Sequence, residues 1–251
     1  SEEHLSVKSM YIDIGRNLHS HACRYGFTSN SFVGNTLINF YGKCRYMLDA
    51  EHLFSSLPKC NVATWNVMLS TYLEQGQGDQ CVLLYRQMQE ENMSPNRQTF
   101  MTIIQACYDL VDVDGEENAT KAIFLKIGKA LHSSARKRSL ASDVFVGTTL
   151  IKMYSKCGNL CEAENVFQGL CYHDIVSCTA LLSVYVDRGE DEKAILFYGW
   201  MEREGISLDD VTFIYVLLAC RKTGRMELCR HIHFIMICGG LETRSMVGST
   251  L

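Results

Sequence analysis

Apolar residues recur every three or four positions along most of this chain. Leu37, Ile38 and Tyr41 share one helical face, followed by Ala50, Leu53, Phe54 and Leu57. The next block gives Trp65, Met68, Leu69 and Tyr72, then Cys81, Leu84, Tyr85 and Met88. A later block gives Cys178, Leu181, Leu182 and Tyr185, then Ala194, Phe197, Tyr198 and Met201. This spacing predicts two amphipathic helices per block. Gly76, Gly158, Gly189, Gly205 and Gly224 fall between the stripes, and Pro58 and Pro95 lie at block ends, where they stop a helix without interrupting one. No strand-like alternation of useful length is present.

The blocks repeat. GNTLINFYGKC (34–44) realigns on GTTLIKMYSKC (147–157), TWNVMLSTY (64–72) on SCTALLSVY (177–185), and SPNRQTFMTIIQAC (94–107) on SLDDVTFIYVLLAC (207–220), each displaced by 113 residues. One anchor breaks the offset: His132 of KALHSS matches His233 of RHIHFI, only 101 residues later. The period is therefore 101, with a 12-residue insertion around Val111 to Phe124. That segment opens acidic and polar, which predicts an inserted surface loop. With the insertion removed, Asn35, Asn66, Met101, Thr148, Thr179 and Ile214 follow one another at steps of 31, 35, 35, 31 and 35 residues. A two-helix unit of that length cannot bury its own apolar face and must stack on its neighbours. The expected fold is all-α, a right-handed α-solenoid of stacked helix-turn-helix repeats. The chain starts and stops inside a repeat, which points to a piece of a longer array.

Composition narrows the function. The 251 residues are 47% hydrophobic, ample for a core, with net charge −4. No polycationic tail supports nucleic-acid binding, and the charge mildly opposes it. No apolar run approaches a membrane span. The N-terminus lacks Met and resembles neither a signal nor a transit peptide, which predicts a cleaved or truncated start. Twelve cysteines include no C-x-x-C pair, so the expectation is small buried thiols in a reducing compartment rather than disulfides or zinc. No metal or other cofactor is expected.

Tetratricopeptide repeats have the right length, but their W-x-x-L-G-x-x-Y signature is absent. VFVGTTLIKMYSKCGNLCEAENVF (144–167), VATWNVMLSTYLEQG (62–76), TFMTIIQAC and GKALHSSARKRS instead resemble the pentatricopeptide repeat family, over nearly the whole chain. The 31/35/35 cycle resembles its plant variety with P, L and S repeats. In that frame a partial repeat (1–30) precedes S 31–61, P 62–96, L 97–143 with the insertion, S 144–174, P 175–209 and L 210–244, and a partial S repeat (245–251) follows. The resemblance implies single-stranded RNA binding in a mitochondrion or chloroplast, with target-site selection for cytidine-to-uridine editing and editing-complex proteins as partners. One repeat then faces one base, read by the fifth and last residues. The pairs carried over are Asn35 with Asn61, Asn66 with Asn96, Thr148 with Asp174, and Thr179 with Asp209. Asn with Asn implies a pyrimidine and Thr with Asp implies guanine. Met101 with Asp143 and Ile214 with Arg244 have apolar fifth residues and should read little. The implied order is pyrimidine, pyrimidine, any, G, G. Second residues wedge between bases: Phe32, Phe145, Val176 and Val211 fit, whereas Ala63 and Gln98 depart from the bulky type. Lys43, Lys156 and Lys222 share one position and are phosphate candidates.

Blander readings stand beside these. Asn, Thr and Asp at helix starts are ordinary caps, and the lysines also suit a solvated face. His19, His132 and His233, one per triplet, fit packing between repeats rather than a metal site. No H-x-E with P-C-x-x-C is present, so no deaminase is expected within this chain; an editing domain would lie beyond Leu251 or on a partner. The alternative function is a helical-repeat scaffold for proteins, which the acidic charge favours.

Overall fold

The computed structural model describes residues 2–111 and 117–238. Among them are thirteen α-helices and no strand. Helix α1 (Glu2–Arg24) is followed by six pairs: α2 (Ser31–Lys43) with α3 (Met47–Ser56), α4 (Val62–Glu74) with α5 (Gly78–Glu90), α6 (Arg97–Leu110) with α7 (Glu117–Lys137), α8 (Val144–Lys156) with α9 (Leu160–Gln168), α10 (Ile175–Asp187) with α11 (Asp191–Arg203), and α12 (Asp210–Thr223) with α13 (Met226–Cys238). The expected partial repeat from Ser245 and the reader candidate Arg244 lie outside the described residues.

The chain divides after Thr120 into two compact units. In the first, α2 packs on α3 and α4, and α4 on α5 and α6. In the second, α8 packs on α9 and α10, and α10 on α11 and α12. Each of α2, α4, α8 and α10 thus contacts its own partner and the next first helix, which is the α-solenoid arrangement. The periodic residues supply the core: Ile38, Tyr41, Trp65, Met68, Leu69 and Met88 are almost fully buried in the first unit, and Leu150, Tyr154, Leu182, Tyr198 and Met201 in the second. Burial of such side chains is worth about 1.5–3 kcal/mol each.

The short repeats are short in their second helix. Helices α3 and α9 have ten and nine residues, against thirteen in α5 and α11. The shortened helix brings Leu57 over Gly34 and Leu170 over Gly147, where an added Cβ would meet leucine methyls at 2.9 and 2.2 Å. The glycine that opens both copies of the repeated phrase is therefore a close-packing position.

Two expectations change. The insertion is not a loop throughout: from Glu117 onward it is helical and extends α7 at its start. Nothing in Glu117–Phe124 breaks a helix, and Thr120 is buried. The cysteines are not uniformly buried either. No disulfide joins the eleven whose side chains are described, but Cys23, Cys161 and Cys171 are exposed. Cys81, by contrast, is buried, and burial pushes its thiol up to about 12.

The histidines pack between helices as their spacing predicts. His19 Nδ1 lies 2.8 Å from Tyr41 Oη and His132 Nδ1 3.1 Å from Tyr154 Oη, both edge-on. The side chain of His233 is outside the described residues.

Candidate nucleic-acid interface

The first helix of each pair starts where a polar residue ends the preceding segment, and that residue caps it. Asn61 Oδ1 accepts from Thr64 N at 2.9 Å, and Asn96 Oδ1 from Thr99 N at 3.1 Å. Asp174 Oδ1 accepts from Ser177 N and Asp209 Oδ1 from Thr212 N, both at 2.8 Å. Each bond satisfies an amide that the helix leaves unpaired. Capping consumes one oxygen. Asn61 and Asn96 are left with an uncommitted Nδ2, a donor, while Asp174 and Asp209 are left with an uncommitted Oδ2, an acceptor. Capping and base contact are thus compatible duties for different atoms of one side chain.

The fifth residues sit one turn inside these helices. Asn66 donates from Nδ2 to Asn96 Oδ1 at 3.0 Å and accepts at Oδ1 from Thr99 Oγ1 at 2.6 Å. Thr179 Oγ1 lies 3.1 Å from Thr212 Oγ1, which donates to Asp209 Oδ1 at 2.6 Å. The structure therefore links Asn66 to Asn96 directly and Thr179 to Asp209 through Thr212. No hydrogen bond joins Asn35 to Asn61 or Thr148 to Asp174. Asn35 Oδ1 and Thr148 Oγ1 are instead buried without a hydrogen-bond partner. An unmade bond at a buried polar atom costs about 1–3 kcal/mol.

Second residues are exposed. Phe32 is 78% accessible, and Phe145, Val176 and Val211 lie between 42% and 57%. Ala63 and Gln98 are exposed too. In the second unit a cavity of about 250 Å³ brings together Val176, Val211, Thr179 and Asp209 with Lys152 and Tyr215. Its counterpart in the first unit, about 300 Å³, is lined by Asn66 and Gln98 with Asn39 and Glu74. Fifth residues thus share a cavity with the second residue of the next repeat.

The lysine candidates do not line these cavities. Lys43 ends α2, eight residues and about 12 Å of helical rise from Asn35. Its Nζ pairs with Glu74 at 2.6 Å, and Lys222 Nζ lies 3.5 Å from Asp191 and 3.3 Å from the Val186 carbonyl. Lys156 is half-buried in the last turn of α8. Met101 is half-buried, and Asp143 caps α8 through Phe145 N and Val146 N. Ile214 is half-buried and the position of its partner Arg244 is not described.

Sequence reasoning missed two sets of residues. Lys152 lines the second cavity, and its copy in the first is Asn39. Thr64, Thr99, Ser177 and Thr212 are fully buried beside the caps. Their signal was present: a hydroxyl residue three positions after Asn or Asp is a capping-box pattern.

Known proteins resemble this chain. A model described as the PPR repeat family matches residues 60–109 and 173–222, and one described as the PPR repeat matches 35–62 and 148–174. A chloroplastic pentatricopeptide repeat-containing protein of Arabidopsis thaliana is 30% identical over 94% of this chain and 36% of its own length. A pentatricopeptide repeat-containing protein of the same plant, named as mitochondrial, is 31% identical over 87% of this chain and 33% of its own length. The chain thus spans about a third of the curated relatives it matches. Among solved structures, nuclear proteinaceous RNase P 2 of A. thaliana superposes with a TM-score of 0.54 at 14% identity, over 71% of this chain and 38% of its own; this likeness is one of fold. Matches in all four of these segments, in the order that the helix pairs follow, place the chain in the pentatricopeptide repeat family.

Proposed function

We propose that this chain binds single-stranded RNA and selects bases through Asn35/Asn61, Asn66/Asn96, Thr148/Asp174 and Thr179/Asp209. The observation that carries the reading is the cavity of the second unit. It holds a fifth residue, a last residue and two exposed second residues, the three kinds of position that the family resemblance assigns to base contact. Val176 and Val211 would pack on base faces, as would Phe145 in the preceding repeat and Phe32 in the first unit; all four are exposed. Apolar contact of this kind is tolerant of sequence.

Hydrogen-bonding capacity sets the expected bases. Asp174 and Asp209 present acceptors, and guanine offers donors at N1 and N2. Asn61 and Asn96 present donors, which suit the carbonyl oxygens of uracil and cytosine. In chain order the preference is pyrimidine, pyrimidine, any, G, G. Lys152 lines the cavity and is the cation best placed for a phosphate there. Lys43 and Lys222 would have to exchange carboxylate partners to reach one, and Lys156 stands at the same helix end.

The biological setting we propose is organellar RNA processing in a mitochondrion or chloroplast, with target-site recognition for cytidine-to-uridine editing as the specific role and editing-complex proteins as partners. The support is the plant P-L-S pattern of 31, 35 and 35 residues and the organellar names of relatives. The catalytic group would belong to another segment or protein.

A gel shift at fixed salt tests the reading, with RNA containing UUAGG against a scrambled strand. Preference for UUAGG supports it. Equal binding of both strands, or of neither at low salt, would leave the protein-scaffold alternative that the acidic charge favours.

A further inference from the structure

The four reader pairs resemble one another in sequence and differ in how they are held. The difference lies in one residue, the third of the following helix. In the sites of α4 and α10 that residue touches the reader: Thr99 reaches Asn66 and Thr212 reaches Thr179. In the sites of α2 and α8 it does not. Thr64 Oγ1 goes to Asn61 Oδ1 at 3.1 Å, and Ser177 Oγ goes to the Asp174 carbonyl at 2.9 Å. Asn35 Oδ1 and Thr148 Oγ1 are left without partners.

A hydroxyl carries one hydrogen and two lone pairs. Thr212 donates its hydrogen to Asp209, whose carboxylate only accepts, at 2.6 Å. The hydrogen in the Thr179–Thr212 contact must therefore come from Thr179. Thr179 then has only lone pairs to offer a base, as does Asp209 Oδ2. Two acceptors side by side fit an edge with two adjacent donors, N1–H and N2–H₂ of guanine. Adenine, cytosine and uracil each place an acceptor beside a donor on that edge. At Asn66 the same logic fixes an amide. Thr99 donates to Asn66 Oδ1 at 2.6 Å and Asn66 Nδ2 donates to Asn96 at 3.0 Å, which orients the amide and leaves Asn96 Nδ2 uncommitted.

We infer that Thr99 and Thr212 are specificity-determining residues: without touching RNA, their buried hydroxyls set whether the reader beside them offers a donor or an acceptor. The inference rests on the RNA-binding reading above. It makes base choice at these sites depend on three residues rather than two.

The test is Thr212→Val with Thr212→Ser, in the full chain. Valine keeps the shape and the backbone N–H that Asp209 caps, and removes only the hydroxyl; serine keeps the hydroxyl. Affinities are measured for RNAs differing only at the base assigned to Thr179 and Asp209, and separately at the base assigned to Thr148 and Asp174. In Thr212→Val the preference for G at the first of these should fall about tenfold, the scale of one lost base contact. Preference at the Thr148 site should stay unchanged, and Thr212→Ser should behave as the parent. Thr99→Val should likewise weaken pyrimidine preference at Asn66. A uniform loss of affinity for all bases, or an unchanged G preference in Thr212→Val, overturns the inference and leaves the RNA-binding reading standing. A parent protein with no G preference at that site overturns both.

Discussion

Asn and Asp at the ends of the repeats do two jobs with two atoms. Oδ1 closes the helix, and Nδ2 or Oδ2 is left over. This makes Asp→Asn a clean exchange, because asparagine caps as well as aspartate. Replacing Thr148 and Thr179 by Asn together with Asp174→Asn and Asp209→Asn should move preference at two bases from G to pyrimidine, with the thermal midpoint nearly unchanged. Selection from a randomised RNA pool reads the outcome; an unchanged profile would mean these residues only cap helices. His132 illustrates a different residue-scale effect. Burial lowers its pKa, helped by Arg136 and opposed by Glu162. The folded state therefore keeps it neutral, while the unfolded chain takes up a proton near pH 6.5. Stability should be full above roughly that pH and be lost as pH falls through it toward the lower folded value. His132→Gln should flatten thermal midpoints measured between about pH 7 and pH 5, with a smaller slope remaining from His19, whose pKa burial also lowers.

Helix pairs repeat because the same contacts repeat, and the repeated glycine shows how tightly. Gly147→Ala would place a methyl 2.2 Å from Leu170 Cδ2, whereas at Gly34 the nearest leucine methyl is 2.9 Å away. Overpacking typically costs about 1–3 kcal/mol, so Gly147→Ala should be the more destabilising of the two in urea melts. Adding Leu170→Ala should recover part of the loss if the clash is its cause. Other element contacts are conserved in geometry and not in residue. Gln75 Nε2 donates to the Gly42 carbonyl at 3.0 Å, and Arg188, at the matching position in the second unit, donates to the Ser155 carbonyl at 2.6 Å. Helix starts, caps and buried stripes were legible in the sequence because each depends on neighbours within four residues. The helical course of Glu117–Phe124 was not, since a polar segment reads as a loop until packing of Thr120 and the rest of α7 is known.

For the whole molecule the decisive quantity is charge. Net charge is −4, and Lys43 and Lys222, two of the three lysines expected at phosphates, are already paired. Neutralising about three phosphates on a single strand gives a slope of about −2 for log affinity against log salt. Titrations between about 50 and 200 mM salt should show no steeper dependence. Lys152→Gln should weaken binding to all sequences alike and make that slope shallower; loss of G preference alone would instead make Lys152 a base reader.

The sequence by itself determined the two-helix repeat, its 31/35/35 cycle and the residues that cap each first helix. These follow from local periodicity and from copies of one pattern along a single chain. Tertiary structure decided how the pairs are joined. Asn66 meets Asn96, and Thr179 meets Thr212, across 30 and 33 residues of chain, so stacking of successive helices sets their distances. That stacking also left Asn35 Oδ1 and Thr148 Oγ1 without partners while Thr99 and Thr212 were turned onto their neighbours. Hydrogen-bond direction is fixed by which groups converge in space, and spacing along the chain does not record it.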